Sequence, residues 1–173
     1  MNIFFTRSDP ELAAEDHCKV HTRKMIIEYA QMLSTAHRIL DGDEWPDETG
    51  MYKVTHPNHP CTKWVRENQR HYSWLSRCLY RLCEIYKEAT GKDHATSRLL
   101  GVLLYPPLNL STGEFIDPPQ AMPDEYKSPS TEEAYRAYIK SKFKEWQSRD
   151  KPIKVDWYVR VPFWYKEVIK NGT

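Results

Sequence analysis

Two intervals of this chain, residues 11–41 and 61–90, contain neither proline nor glycine, and all 12 prolines and 6 glycines fall around or between them. Proline removes a backbone donor and glycine weakens regular structure, so uninterrupted stretches of this length favour long helices that break at their flanks. Asp9-Pro10 supplies an N-cap and a first helical residue, and Met25, Tyr29, Met32, Ala36 and Ile39 form an apolar stripe running as far as Leu40. Asp41-Gly42 ends it. The second helix is predicted from near Cys61, after Pro57 and Pro60, to Gly91. It carries Trp64, Asn68, Tyr72, Leu75, Leu79, Leu82 and Tyr86 on one side. A shorter helix is expected over 94–104.

The segment 105–129 contains Pro106, Pro107, Pro118, Pro119, Pro123 and Pro129 and must be largely irregular. It is long for an unstructured loop, which points to a packed segment with a role of its own. Ser130-x-x-Glu133 has capping-box spacing and opens a last helix with Tyr135, Tyr138, Lys142 and Trp146 on one face. "NIFF" near the start, and the alternation of Val155, Trp157, Val159 and Val161, each suit a short strand or an extended arm. The predicted fold is mainly α: a compact single-domain helical bundle over 1–173, with an acidic loop at 41–52, a Pro-rich connection at 105–129, a C-terminal arm at 150–173 and room for a short strand at either terminus.

The net charge of +1 gives no global field for a polyanion, but the charge is unevenly placed. Asp41, Asp43, Glu44, Asp47 and Glu48 crowd residues 41–50 with no base among them. Residues 53–88 hold Lys53, Lys63, Arg66, Arg70, Arg77, Arg81 and Lys87 against Glu67, Glu84 and Glu88. A basic face beside an acidic loop is compatible with a polyanionic ligand. Aromatic residues make up 13% of the chain and serve either as core or as stacking surfaces for bases, with core favoured. There is no apolar run long enough to span a membrane and no signal-peptide core near Met1. Cys18, Cys61, Cys78 and Cys83 form no C-x-x-C pair, as expected of reduced thiols in a cytoplasmic protein.

His17, His21, Lys24, Glu28, Gln31 and Thr35 recur at spacings of three and four, which predicts one polar stripe bordering the core. Lys24, Glu28 and His21 would there form an acid–base and nucleophile group; the other reading is a solvated face with an ordinary Lys24–Glu28 pair. "THPNHP" is too irregular for a helix and puts His56, Asn58 and His59 on a turn before the second helix, where free backbone N–H groups favour an anion. Arg23, Lys63, Arg66 and Arg70 join them as a candidate phosphate grip, against the reading of a solvated face paired with Glu67, Glu84 and Glu88. Trp64, Tyr72 and Trp74 are candidate base-stacking residues. His17, His21, His56 and His59 are a weaker candidate metal set, with no His-Glu-x-x-His and no matching carboxylate. The glycines do not cluster into a phosphate loop and no Gly-x-Ser-x-Gly elbow occurs, so no nucleotide cofactor is expected.

"MNIFFTRSDPELAAEDHCKVHTRKMIIEYAQMLSTAHRILDG", "YKVTHPNHPCTKWVRENQRHYSWL", "QAMPDEYK" and "EEAYRAYI" together resemble a family of small bacteriophage proteins, over Met1 to about Trp146. "EDHCKVHTRK" and "NHPCTKWVRENQR" are more distantly similar to the phage pyrimidine-dimer DNA glycosylases, also called endonuclease V. That resemblance implies an all-helical domain that excises damaged pyrimidines and cleaves abasic sites through an amine Schiff base, in the cytoplasm of an infected bacterium. The family uses the α-amine of a small residue exposed by loss of Met1; here Asn2 follows. Its helix-one motif is Arg followed by a catalytic Glu; here Arg23 matches, Lys24 stands in the Glu position and Glu28 lies one turn later. The implied amine is Lys24 or the Met1 terminus, and the implied partner is double-stranded DNA with a damaged or modified base. Two other readings stay open: an enzyme that modifies nucleotides or DNA bases, and a non-enzymatic phage protein that uses an anion pocket to bind a nucleotide or a host factor.

Overall fold

The computed structural model describes residues 1–166. The fold is mainly α. Helices α1 (Pro10–Asp16), α2 (Lys19–Asp41), α3 (Glu44–Thr49), α4 (Pro60–Val65), α5 (Gln69–Thr90), α6 (Leu100–Leu103) and α7 (Thr131–Gln147) follow in order, with 3-10 turns at Ala95–Leu99 and Asp124–Tyr126. α1 and α2 both pack on α5, and α4 packs on α2. One hydrophobic cluster joins Phe5, Ile26, Tyr29, Leu33, Tyr72, Leu75, Leu79, Tyr135 and Phe143. All four cysteines are free and buried. Burial pushes the thiols of Cys18, Cys61 and Cys83 up to about 11, which removes their nucleophilicity near neutral pH. No described helix is long and apolar enough to cross a membrane.

The first predicted helix is two. His17 and Cys18 are extended, with ψ of 128° and 166°. The C-terminal arm takes up the backbone groups exposed there: Trp157 Nε1–H donates to Asp16 O and Lys19 N–H donates to Asp156 O. The second predicted helix is also two. Asn68, expected on the apolar face of a continuous helix, is an N-cap whose carbonyl oxygen accepts from Arg70 N and His71 N. The acidic segment is not all loop, because α3 occupies its centre between Gly42 (φ 87°) and Gly50 (φ 73°).

No strand forms among the described residues. Ile3, Phe4 and Phe5 are buried, but Phe4 N–H donates to the Tyr29 hydroxyl and no partner strand lies beside them. Around Trp157 the tail docks through aromatic contacts instead of a ladder, with the Trp157 ring 5.8 Å from Phe143 and 4.9 Å from Tyr165. Residues 167–173 of the expected arm lie outside the described part.

The Pro-rich connection is a packed strap. Gln69 N–H donates to Ser111 O, Asn68 Nδ2–H to Glu114 O and Trp64 Nε1–H to Ile116 O, while Ile116 N–H donates to His71 Nε2. Gly113 lies tight against Asn68: a Cβ there would stand 3.0 Å from Asn68 Cβ, and Asn68 would have to give way by a few tenths of an ångström. Further on, Tyr135 OH donates to Pro119 O and lies 3.0 Å from Asn2 Oδ1, and Asn2 Nδ2–H donates to Ala121 O. The strap therefore fixes the chain's first residues as well as the start of α5.

Candidate functional site at the loop 53–59

The loop between α3 and α4 lies across α2, anchored where Thr55 N–H donates to Thr35 Oγ1. Arg66 holds it from below, donating to Pro57 O at 2.6 Å and Thr62 O at 3.2 Å, with no carboxylate paired to it among the described residues. Burial lowers its pKa. His56 adopts φ 45°, a left-handed conformation that a non-glycine residue seldom takes. His59 caps α4: its Nδ1 accepts from Cys61 N–H at 3.1 Å, which leaves the proton of a neutral ring on Nε2. Burial lowers the His59 pKa; the Met1 ammonium and His56 lower it further, and Glu28 opposes them. The Met1 ammonium, His56 and Glu28 are thus the charged and titratable groups that bear on His59.

The predicted stripe on the first helix divides. Lys24 and Glu28 do pair, at 3.6 Å, with Lys24 65% and Glu28 19% exposed. His21 does not join them. Its ring packs among Phe4, Trp146 and Phe143 at 4.5, 5.0 and 5.8 Å, and burial holds it neutral. His17 sits at the α1–α2 joint; its Nδ1–H donates to Ala13 O and its Nε2 accepts from Tyr29 OH. Burial lowers its pKa to about 4. The four-histidine metal set is not assembled: both nitrogens of His17 are engaged, His59 Nδ1 is a cap, and no group of three or more His, Cys, Asp or Glu side chains among the described residues could hold a metal.

The expected phosphate grip is also divided. His56 and Asn58 on the loop, Lys63 on α4 and Arg23 on α2 are exposed, and Arg23 and Lys63 make no ion pair among the described residues. Arg70 lies elsewhere, paired with Glu114 at 3.0 Å, and lines a shallow depression with Arg77 and Trp74. Free N–H groups at the helix starts are already taken, by His59 at α4 and Asn68 at α5. The three aromatic candidates are core residues. Trp64 stacks on His71 at 4.2 Å, Tyr72 is wholly buried, and Trp74 Nε1–H donates to Ser8 O. None offers an open face to a base.

Sequence reasoning missed Asn2 and Tyr135, which position the Met1 end of the site. No local pattern announces them, because their partners lie more than 100 residues away in sequence. Comparison of the chain with protein-family models, curated proteins and solved structures finds no match, so the likeness to phage glycosylases rests on the quoted motifs.

Proposed function

We propose that the chain is a DNA-acting enzyme, a base glycosylase with abasic-lyase activity, whose nucleophile is the amine at Met1. The observation that supports this reading best is that the Met1 amine and Glu28 both bear on a neutral His59, while Arg23 on α2 and Lys63 on α4 are exposed and make no ion pair among the described residues. In the proposed reaction the amine bonds to C1′ of the damaged nucleotide and the base leaves with the glycosidic electron pair. Ring opening gives an imine, a base removes a C2′ proton, and the 3′ phosphate departs. Glu28 suits stabilisation of the cationic imine and proton transfer. Lys24 is the weaker nucleophile, since its head group stands in water within a surface ion pair. The burial of Trp64, Tyr72 and Trp74 leaves an extruded base to be held by hydrogen bonds rather than stacking.

Borohydride trapping on abasic and UV-irradiated duplexes tests the assignment. The expected result is a covalent band that survives Lys24→Ala and disappears in Glu28→Gln and in a chain carrying two extra residues before Met1. A band lost only in Lys24→Ala moves the nucleophile to that residue. No band from a folded protein removes the Schiff-base reading; salt-sensitive duplex binding in that case supports the anion-binding role instead.

A further inference from the structure

The acidic segment separates into two sets of carboxylates with different fates. Asp43 and Asp47, four residues apart, both accept from Arg38 Nη1, at 2.7 and 2.9 Å, and Lys53 also reaches Asp47. Asp41 caps the strap, accepting from Leu108 N, Asn109 N and Asn109 Nδ2. Glu44 and Glu48, also four apart, face the other way and meet no cation among the described residues. They line a cleft of about 560 Å³ with His37, Asp41, Trp45, Tyr105, Pro106 and Leu108, a size suited to a small organic molecule.

His37 gives the floor of this cleft a chemical direction. The residue is 1% exposed, and its Nε2 lies 2.8 Å from the Tyr72 hydroxyl. When that hydroxyl donates to Leu103 O, it accepts from His37 Nε2–H. Nδ1 is in that state an unprotonated acceptor with no side-chain or backbone donor bonded to it among the described residues. Burial, which lowers the His37 pKa against the opposing pull of Asp41 and the Tyr105 backbone, keeps the ring neutral. The charged side chains of the cleft, Asp41, Glu44 and Glu48, are acceptors only, while Trp45 and Tyr105 add an indole and a phenol ring. The indole of Trp45 lies 5.3 Å from the His37 ring, and Tyr105 and Leu108 are 69% and 93% exposed. Aromatic faces beside unpaired carboxylates attract organic cations through cation–π and charge-assisted hydrogen bonds.

We propose that this cleft between α3 and the Tyr105–Leu108 turn binds an organic cation that has several N–H donors on an apolar body, a guanidinium or an amidinium. Glu44 and Glu48 engage its donors at the rim, Trp45 and Tyr105 cover its body, and the His37 edge closes the floor. The site does not depend on the DNA reading and repels the phosphates that reading requires.

The test is titration of the whole protein with benzamidinium, the neutral near-isostere benzamide and the anion benzoate, followed by amide and indole NMR shifts at Trp45 and Glu44–Thr49. Benzamidinium should bind at least tenfold more tightly than benzamide, with benzoate inert. The doubly neutralised Glu44→Gln/Glu48→Gln, whose sites are exposed and leave the fold intact, should lose at least tenfold. Equal binding of benzamide, unchanged affinity in the double variant, or no shift at millimolar benzamidinium overturns the proposal. Nα-acetyl-arginine methylamide identifies the source: binding as strong as benzamidinium assigns the arginine of a protein partner, and binding of benzamidinium alone assigns a small molecule. Both outcomes support a cation site.

Discussion

Arg38 and Arg66 each lie beneath a loop beside α2 and hold it by its carbonyls, but they leave different fields behind. Arg38 donates to Tyr52 O and Met51 O and also to Asp43 and Asp47. Burial works against its charge, and the two carboxylates more than offset this and raise its pKa. Arg66 donates only to Pro57 O and Thr62 O, and burial leaves its pKa lowered. An arginine that finds carboxylates neutralises its loop; one that finds only carbonyls adds a positive charge to it. The two candidate sites inherit that difference: cations exposed around His59, and free carboxylates around Trp45, the latter because α3 turns Asp43 and Asp47 inward and Glu44 and Glu48 outward.

Breaking the arginines separately should give the largest contrast. Arg38→Ala strands two backbone carbonyls and removes the partner of two carboxylates, for an expected loss of about 3 kcal/mol in urea unfolding. Arg66→Ala removes one anchor from an exposed turn and should lose about 1 kcal/mol. Equal losses would mean that the carboxylates contribute nothing to the acidic loop.

Acid should weaken both ends of α2. His17 has its pKa lowered from 6.5 to about 4, and His37 and His59 are also lowered, burial being the main cause in each. A histidine that resists protonation only when folded stabilises the native state fully above its unfolded pKa. That contribution is lost as pH falls from about 6.5 toward the folded value, by up to about 1.4 kcal/mol per pH unit for each such group. Urea midpoints from pH 7 to pH 5 should fall, and His17→Gln should make the fall shallower. A flat profile would show that these rings protonate without penalty.

A smaller effect sharpens the account of the strap. Gly113→Ala forces a methyl against Asn68 and should lose about 1–2 kcal/mol, with faster proteolysis near Ser111–Ile116. The smallest effect belongs to Lys24→Ala, which breaks an exposed pair and should change stability by less than about 0.5 kcal/mol. A larger loss would show that Lys24 supports the loop and is not merely a surface charge.

The helical content, the two long intervals and their ends at Gly42 and Gly91 were legible in the sequence, because caps, apolar period and glycine act within a few residues. The capping residue Ser130 was legible for the same reason: its hydroxyl accepts from Glu133 N. The break at Asn68 was half legible, since asparagine is a strong N-cap, but nothing local marks Asn68 as a cap rather than a helix-interior residue. The spacing of Asp43 with Asp47 and Glu44 with Glu48 also carried two faces, visible only once the segment is read as helix.

Sequence alone therefore determined where helices form and which segments are charged. Tertiary structure decided what the polar groups do. The break at His17 is met by Trp157 and Asp156, and Trp64, Asn68, Gln69 and His71 hold the strap at Ser111–Ile116. The physical reason is that a buried donor or acceptor must find a partner, and in a chain folded back on itself the nearest one is set by packing, not by distance along the sequence.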